Sequence, residues 1–216
     1  NNSNVHEYSE MIIRQTEVLQ RIVDEFSKFA RMPEPKKRVI NIHELIKSSV
    51  LLQKAVYDNI VFNLKFDDLN SSIFGDYSML SQAFTNLLKN AAESINLSQK
   101  QLSIDNKIKG FIDIITNTNF NSLEIKIIDT GMGLDKGITN FFEPYVTTKQ
   151  NGTGLGLAIV RKIIEQHDGS LLLYNSKLVL HRKYNKGVVA EIKLPLVLNK
   201  SNLNVKKKSK TDFVNN

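Results

Sequence analysis

Gly152-Thr153-Gly154-Leu155-Gly156-Leu157 runs directly into Ala158-Ile159-Val160, and this pattern points to the architecture of the whole chain. Glycines at alternate positions let the backbone approach an anion without Cβ clashes, and a following helix offers it unpaired N–H groups and a positive dipole end. Alone, such a run says only that an anion sits near a helix start. Two stretches upstream give it context: Asp129-Thr130-Gly131-Met132-Gly133, which closes an isoleucine-rich run, and Asn86-Leu87-Leu88-Lys89-Asn90-Ala91.

Asp129 stands where a buried strand meets a glycine turn. A carboxylate there can accept a hydrogen bond from an exocyclic amine such as adenine N6, while Gly131 and Gly133 let a ring pass close to the backbone. Taken singly, Asp129 also reads as an ordinary turn-capping residue. Asn86 and Asn90 lie one turn apart on the same side of a helix. Their amides suit a hard cation such as Mg²⁺ shared with substrate phosphates, and equally suit a pair of routine surface or core amides.

The bulk properties exclude several classes. The chain has 216 residues, 41% hydrophobic and 24% charged, which fits one well-buried domain with an appendage. No apolar run reaches a membrane-spanning length. The chain opens on Asn1 without a charged-then-apolar leader, so it reads as a piece of a longer protein whose membrane anchor lies outside it. With no cysteine, thiol catalysis, disulfides and Cys-based metal sites are excluded. The net charge of +7 is densest at Lys206-Lys207-Lys208-Ser209-Lys210, which reads as a solvated tail, so no nucleic-acid partner is expected.

The pattern of residues divides the chain into 1–32, 33–37, 38–196 and 197–216. In the first segment Ile12, Leu19, Val23, Phe26 and Ala30, widened by Ile22 and Phe29, form an amphipathic stripe near heptad spacing, so this helix needs a partner. Pro33-Glu34-Pro35 stops it and starts a linker. Then come a short strand at Arg38-Val39-Ile40 and a helix capped by Asn41 with Glu44 three residues on. Strands follow at Ile60–Phe66 and Ile73–Asp76, and a long helix from Tyr77 to Ile95 with Leu80, Ala83, Phe84, Leu87, Leu88 and Ala91 on one face. Asn96 to Gly110 reads as a polar loop or insertion. Phe111–Thr116 and Leu123–Ile128 form a hairpin. The irregular, Gly-rich stretch from Thr130 to Thr153 is long enough to be a lid. A helix over Gly154–Gln166 and strands at Ser170–Asn175, Leu178–Arg182 and Val188–Leu194 complete the fold, and a 197–216 tail is expected to be disordered. His167 ends its helix where a positive charge suits the dipole, His43 lies in a helix turn and His181 in an edge strand.

In this order, with Phe142-Glu143-Pro144-Tyr145 and Thr147-Thr148-Lys149 between the two glycine boxes, the chain from about Arg38 to Pro195 resembles the ATP-binding domain of sensor histidine kinases. That domain is a branch of the Bergerat-fold ATPases that also includes gyrase-type enzymes. The resemblance implies an α/β two-layer sandwich with helices on one face of a mixed sheet, preceded by the second helix of a dimerisation hairpin. It implies that Asp129, Gly131 and Gly133 read adenine and that Asn90, assisted by Asn86, holds Mg²⁺. Gly152, Thr153, Gly154, Leu155 and Gly156 would line the phosphates of ATP, Lys149 would meet the γ-phosphate, and Phe141 and Phe142 would anchor the lid. Phe29-Ala30-Arg31-Met32-Pro33 and the excursion from Leu178 to Gly187 resemble the nitrogen-regulation, NtrY-like branch.

Hydrolytic members carry a glutamate four residues before the metal asparagine; Asn86 in that place cannot take a proton from water, which favours transfer over hydrolysis. Many kinases follow the asparagine box with a basic residue and an aromatic, where this chain has Glu93 and Ser94. The expected function is donation of the ATP γ-phosphoryl to a histidine for relay to a response regulator, in a homodimer formed through the N-terminal helix. His6-Glu7 lacks the proline of the phosphoacceptor box and reads as an exposed helix start, so the acceptor is expected upstream of Asn1. The setting would be the cytoplasmic part of an inner-membrane sensor. A hydrolytic Bergerat ATPase, a serine kinase of the anti-sigma type and a non-catalytic interaction module are the alternatives.

Overall fold

A computed structural model describes residues 2–67, 71–101, 110–135, 137–138, 140–147, 149, 152–176 and 186–197. The elements run α1 (Asn2–Ala30), β1 (Arg38–Asn41), α2 (Ile42–Lys54), β2 (Ile60–Lys65), β3 (Ser72–Gly75), α3 (Tyr77–Gln101), β4 (Gly110–Thr118), β5 (Ser122–Asp129), α4 (Gly156–Gln166), β6 (Ser170–Asn175) and β7 (Val188–Pro195). The strand expected at Leu178–Arg182, His181 within it and the tail lie outside the described residues. None of the described helices is long and apolar enough to cross a membrane.

Five strands form one mixed sheet in the order β2-β4-β5-β7-β6, with β2 parallel to β4 and every other pair antiparallel. Strands β1 and β3 pair separately. The parallel pair requires a crossover, which α3 supplies. Alternation along β5 separates two faces. Leu123, Ile125 and Ile127 are buried on the helix side. Glu124 and Lys126 take the other face, 2.8 Å apart, and Lys126 also reaches Glu191 of β7 at 3.6 Å. Helices α2, α3 and α4 pack on the apolar face, with α3 in the middle, so the architecture is the two-layer sandwich expected.

Two departures from the expected boundaries bear on the site. Helix α3 continues through Asn96 to Gln101, where a polar loop was expected, because Asn59 Nδ2 donates to Asn96 Oδ1 at 2.9 Å and to Gln99 Oε1 at 3.0 Å. Polar side chains that read as a loop are thus satisfied within the fold. Helix α4 begins at Gly156 and not at Gly154, since Gly154 has φ +69°, outside the right-handed helical region. Asn41 does cap α2, its Oδ1 accepting from Glu44 N at 3.2 Å.

The start of α3, which carries the asparagines, is fixed by Asp76. Its Oδ1 accepts from Ser78 N and Met79 N at 2.9 and 3.1 Å, and its Oδ2 accepts from Lys36 N of the linker at 2.8 Å. Burial acts to raise the Asp76 pKa, but these three donors hold it below the usual value. The Asp76 N–H donates in turn to His167 Nε2 at 2.8 Å, and His167 Nδ1 lies 2.7 Å from the Ile163 carbonyl. A carbonyl only accepts and an N–H only donates, so this ring is neutral with its proton on Nδ1.

His167 is therefore not the charged helix cap that its position implies. It is 1% exposed, and burial lowers its pKa below 6.5 despite the neighbouring Asp76 and Asp168. The unfolded chain takes up the proton first on acidification. The stabilisation from this residue is present above pH 6.5 and is lost as pH falls from there through the lower folded value. Burial also lowers His43, stacked on Phe66 at 4.3 Å, whereas buried Asp129, raised to about 6, acts in the opposite sense. The stability gap between wild type and His167→Gln, measured from urea midpoints, is expected to narrow between pH 7 and pH 5. A gap that stays constant contradicts the neutral-bridge assignment.

Candidate functional site

Asp129 ends the central strand β5, paired with Ile112 of β4, while Ile128 beside it pairs with Val189 of β7. It is 6% exposed, and its Oδ1 accepts from Gly131 N at 2.8 Å and Val188 N at 3.3 Å. Burial pushes its pKa up to about 6, against the pull of those two donors. The two bonds fix the orientation of the carboxylate, and both fall on one oxygen.

The glycine turn after Asp129 is held from three sides. A Cβ on Gly131 would stand 2.2 Å from Ser94 Oγ, which accepts from Met132 N at 3.1 Å. Gly133 has φ +83°, and a Cβ there would stand 2.9 Å from Asn175 Oδ1, which accepts from Leu134 N at 2.7 Å. Gly187 presses on the backbone itself, where a Cβ would fall 1.9 Å from the Asp129 carbonyl oxygen. Ser94, Asn175 and Gly187 were not singled out as site residues from sequence. Ser94 carried a usable signal, since Asn86, Asn90 and Ser94 are spaced by four along one helix face. Asn175 and Gly187 carried none, because Asn175 meets Leu134 and Gly187 meets Asp129 only once distant strands are brought together.

Asn86 and Asn90 are half-buried on α3. Asn90 Oδ1 accepts from Lys149 Nζ at 3.0 Å, and the same ammonium pairs with the Glu93 carboxylate. A Cβ on Gly156 would lie 4.0 Å from Asn90 Nδ2, so the start of α4 faces the asparagine helix. Asn86 makes no hydrogen bond among the described residues. The structure thus brings Asn90, Lys149 and Gly156 together, with Glu93 as an added member. Asn90 Oδ1 fits a cation, because a cationic group already occupies it. Among the described residues no group of three or more His, Cys, Asp or Glu side chains could hold a metal alone.

The phosphate-facing run is shaped by close backbone contacts. Gly152 N donates to Lys149 O at 3.2 Å, and a Cβ on Gly152 would meet Thr147 Oγ1 at 2.6 Å. A Cβ on Gly154 would stand 2.5 Å from the Tyr145 carbonyl carbon. Leu155, fully buried, precedes α4 and offers no side-chain cap, which leaves first-turn N–H groups free of side-chain partners. The Arg161 guanidinium of α4 lies 5.5 Å from the centroid of the Phe142 ring, which ties Phe142 to α4 by a cation–π contact. Thr148 lies outside the described residues.

Helix α1 reaches this site. The Thr153 hydroxyl bonds to the Glu25 carboxylate, Phe26 stacks on Tyr145 with centroids 6.2 Å apart, and Lys162 Nζ donates to Phe29 O at 2.9 Å. Along the rest of α1 the apolar stripe is uncovered: Ile12, Leu19 and Val23 are 66%, 62% and 59% exposed.

A mixed sheet backed by three helices, with a long irregular connection that starts at a buried carboxylate and a glycine turn, is the architecture of an ATP-binding sandwich. Residues 75–198 match the family model described as histidine kinase-, DNA gyrase B- and HSP90-like ATPase, and the chain belongs to that family. It is 42% identical over 166 residues to nitrogen regulation protein NtrY of Azorhizobium caulinodans, covering 76% of this chain and 21% of that protein. The catalytic domain of the histidine kinase ThkA superposes with a TM-score of 0.59 at 27% identity, covering 74% of this chain and 95% of that one. ThkA solved in complex with the response regulator protein TrrA shares the fold over 88% of this chain and 51% of its own, with a TM-score of 0.65 at 24% identity. The chain spans less than a third of the length of NtrY and of the NtrY-like proteins it matches.

Proposed function

We propose that this chain is the ATP-binding part of a two-component sensor histidine kinase of the NtrY-like branch, holding ATP so that its γ-phosphoryl passes to a histidine. The observation that carries the reading is the convergence of Asn90, Lys149 and Gly156 one helical turn from Ser94, which packs on the glycine turn after the fixed carboxylate of Asp129. Asp129 Oδ accepts from adenine N6, and Gly131 and Gly133 leave room for the base. Thr153, Leu155, Gly156 and the free N–H groups of α4 take the phosphates, with Gly152 and Gly154 providing the turn. Asn90, with Asn86 beside it, would hold Mg²⁺, which when bound neutralises phosphate charge. Lys149 serves the γ-phosphate. The reaction breaks the γ-phosphorus bond to the bridging oxygen, forms a phosphorus–nitrogen bond to the acceptor ring and leaves ADP; positioning and charge neutralisation are the main requirements.

Asn86 supports transfer over hydrolysis, because an amide cannot deprotonate water. The acceptor is a histidine other than His6, which is 81% exposed and paired with Glu10 at 3.4 Å at the far end of α1. The uncovered stripe of α1 supports pairing with a second copy, making residues 1–32 part of a dimerisation hairpin, 33–37 a linker and 38–196 the catalytic domain. A response regulator would then accept the phosphoryl group; the related ThkA is itself solved in complex with a response regulator protein. The proposed setting is the cytoplasmic side of a membrane sensor.

Calorimetry tests the site. Mg·ATP should bind, and Asn90→Ala should weaken Mg·ATP by about 10-fold or more while nucleotide binding in EDTA changes much less. Equal weakening with and without Mg²⁺ contradicts the metal role. Steady phosphate release that is lost in Asn90→Ala would favour the hydrolytic ATPase.

A further inference from the structure

We propose that Lys149 is an internal stand-in for the divalent cation, placed on Asn90 by Glu93, so that nucleotide must displace it before the pocket is complete. This rests on the assignment of Asn90 as the metal-side ligand.

Two lysines share Glu93. Lys149 Nζ of the lid pairs with it directly and sits 3.0 Å from Asn90 Oδ1, whereas Lys89 Nζ, one helical turn before Glu93, lies 3.9 Å from its other oxygen. Lys149 and Glu93 are 30% and 31% exposed at their side chains, so water only partly screens them. An amide oxygen engaged by an ammonium cannot bind a metal ion through the same lone pairs without losing that hydrogen bond. The pocket therefore carries its own competitor.

The displaced groups have destinations. Lys149 lies three residues before Gly152, whose N–H donates to the Lys149 carbonyl at 3.2 Å, so its ammonium can swing toward the phosphate run without breaking the lid apart. A γ-phosphate offers it a stronger anion than it leaves. Glu93 keeps Lys89. ADP lacks the γ-phosphate, so it must displace Lys149 without supplying that new partner. Glu93 is thus a positioning residue that makes the pocket favour a triphosphate over a diphosphate.

The same geometry explains the acidic residue that follows the asparagine box. A cation at position 93 would repel Lys149 from Asn90 and leave the lid untied. Here the cation is on the lid, and the helix supplies its anchor.

The experiment compares Mg·ADP and Mg-bound non-hydrolysable ATP analogue by calorimetry in wild type, Lys149→Met and Glu93→Gln. Removing the competitor should tighten Mg·ADP about 5-fold in Lys149→Met, since an occluded fraction depresses apparent affinity in proportion. The preference for the triphosphate over the diphosphate should fall at the same time. Glu93→Gln should also tighten Mg·ADP. Without nucleotide, both variants should be cut faster than wild type by chymotrypsin in the lid, at Phe141, Phe142 or Tyr145. Melting temperatures should stay near wild type, because a half-exposed pair contributes little. Unchanged or weaker Mg·ADP binding in Lys149→Met overturns the stand-in role. Weaker Mg·ADP in Glu93→Gln makes that carboxylate a cation ligand and overturns the positioning role. Wild type that binds no Mg·ADP at millimolar concentration refutes the donor-site reading itself, and this inference with it.

Discussion

Asp129→Asn is expected to weaken ATP binding by about 10- to 100-fold, the loss of a hydrogen bond to a charged acceptor, while leaving the unfolding midpoint unchanged or higher. The two effects separate because of how the carboxylate is held. Gly131 N and Val188 N both donate to Oδ1, and an asparagine carbonyl oxygen can receive the same two bonds. Burial raises the Asp129 pKa from 3.8 to about 6, so keeping this group ionised at neutral pH costs the folded state on the order of 3 kcal/mol. A neutral amide removes that cost. It also turns an NH₂ group toward the adenine amine if its oxygen stays on the backbone donors. The pH dependence follows: the affinity of wild type for ATP drops as pH falls through about 6, when the carboxylate protonates, and the variant shows no such step. A parallel loss of folding and binding would make Asp129 a structural residue.

Gly187→Ala should be the most disruptive single methyl in the molecule. The added carbon would fall 1.9 Å from the Asp129 carbonyl oxygen and 3.0 Å from its carbonyl carbon, and backbone atoms cannot rotate aside as a side chain can. Either β7 separates from β5 at this end or Asp129 moves, and both break the Val188 bond to Oδ1. The expected cost is about 3 kcal/mol, the upper part of the usual overpacking range, with ATP affinity lost alongside it. A midpoint roughly 10 °C lower is the matching thermal readout for a domain of this size. Gly137→Ala is the control: its nearest neighbour is the movable Asp135 Oδ1 at 3.3 Å, and both stability and binding should be nearly unchanged. If the two glycine variants behave alike, the close approach at Gly187 is not what orients Asp129.

These two residues also show what can be read from a sequence. Asp129 was visible because the features that flag it are local, a strand of alternating isoleucines and then a glycine two residues on, although its second donor, Val188 N, is distant in sequence. The glycine run before α4 was visible for the same reason. Gly187 contacts Asp129 only through the pairing of β5 with β7, and a glycine in a turn signals nothing about the strand it will press on. The N-terminal helix gives a second case. Its heptad stripe was legible, yet the bond between Glu25 and Thr153 depends on where α1 lies against the lid. His167 was misread because a helix end favours a positive charge in water. Burial between Gly75, Asp76 and Ile163 outweighs that preference. The polar residues from Asn96 to Gln101 read as a loop only because Asn59, which satisfies two of them, is distant in sequence.

Transfer of the ATP γ-phosphoryl to a histidine, rather than its hydrolysis, is what the proposed site is built for. The direct measurement mixes the chain with a separate helical-hairpin polypeptide carrying a candidate acceptor histidine, adds γ-labelled ATP and Mg²⁺, and follows label on the hairpin. The expected result is acid-labile label that requires the acceptor histidine and is lost in Asp129→Asn. ATP bound by the chain with no label on the histidine, or label that withstands acid, would contradict it.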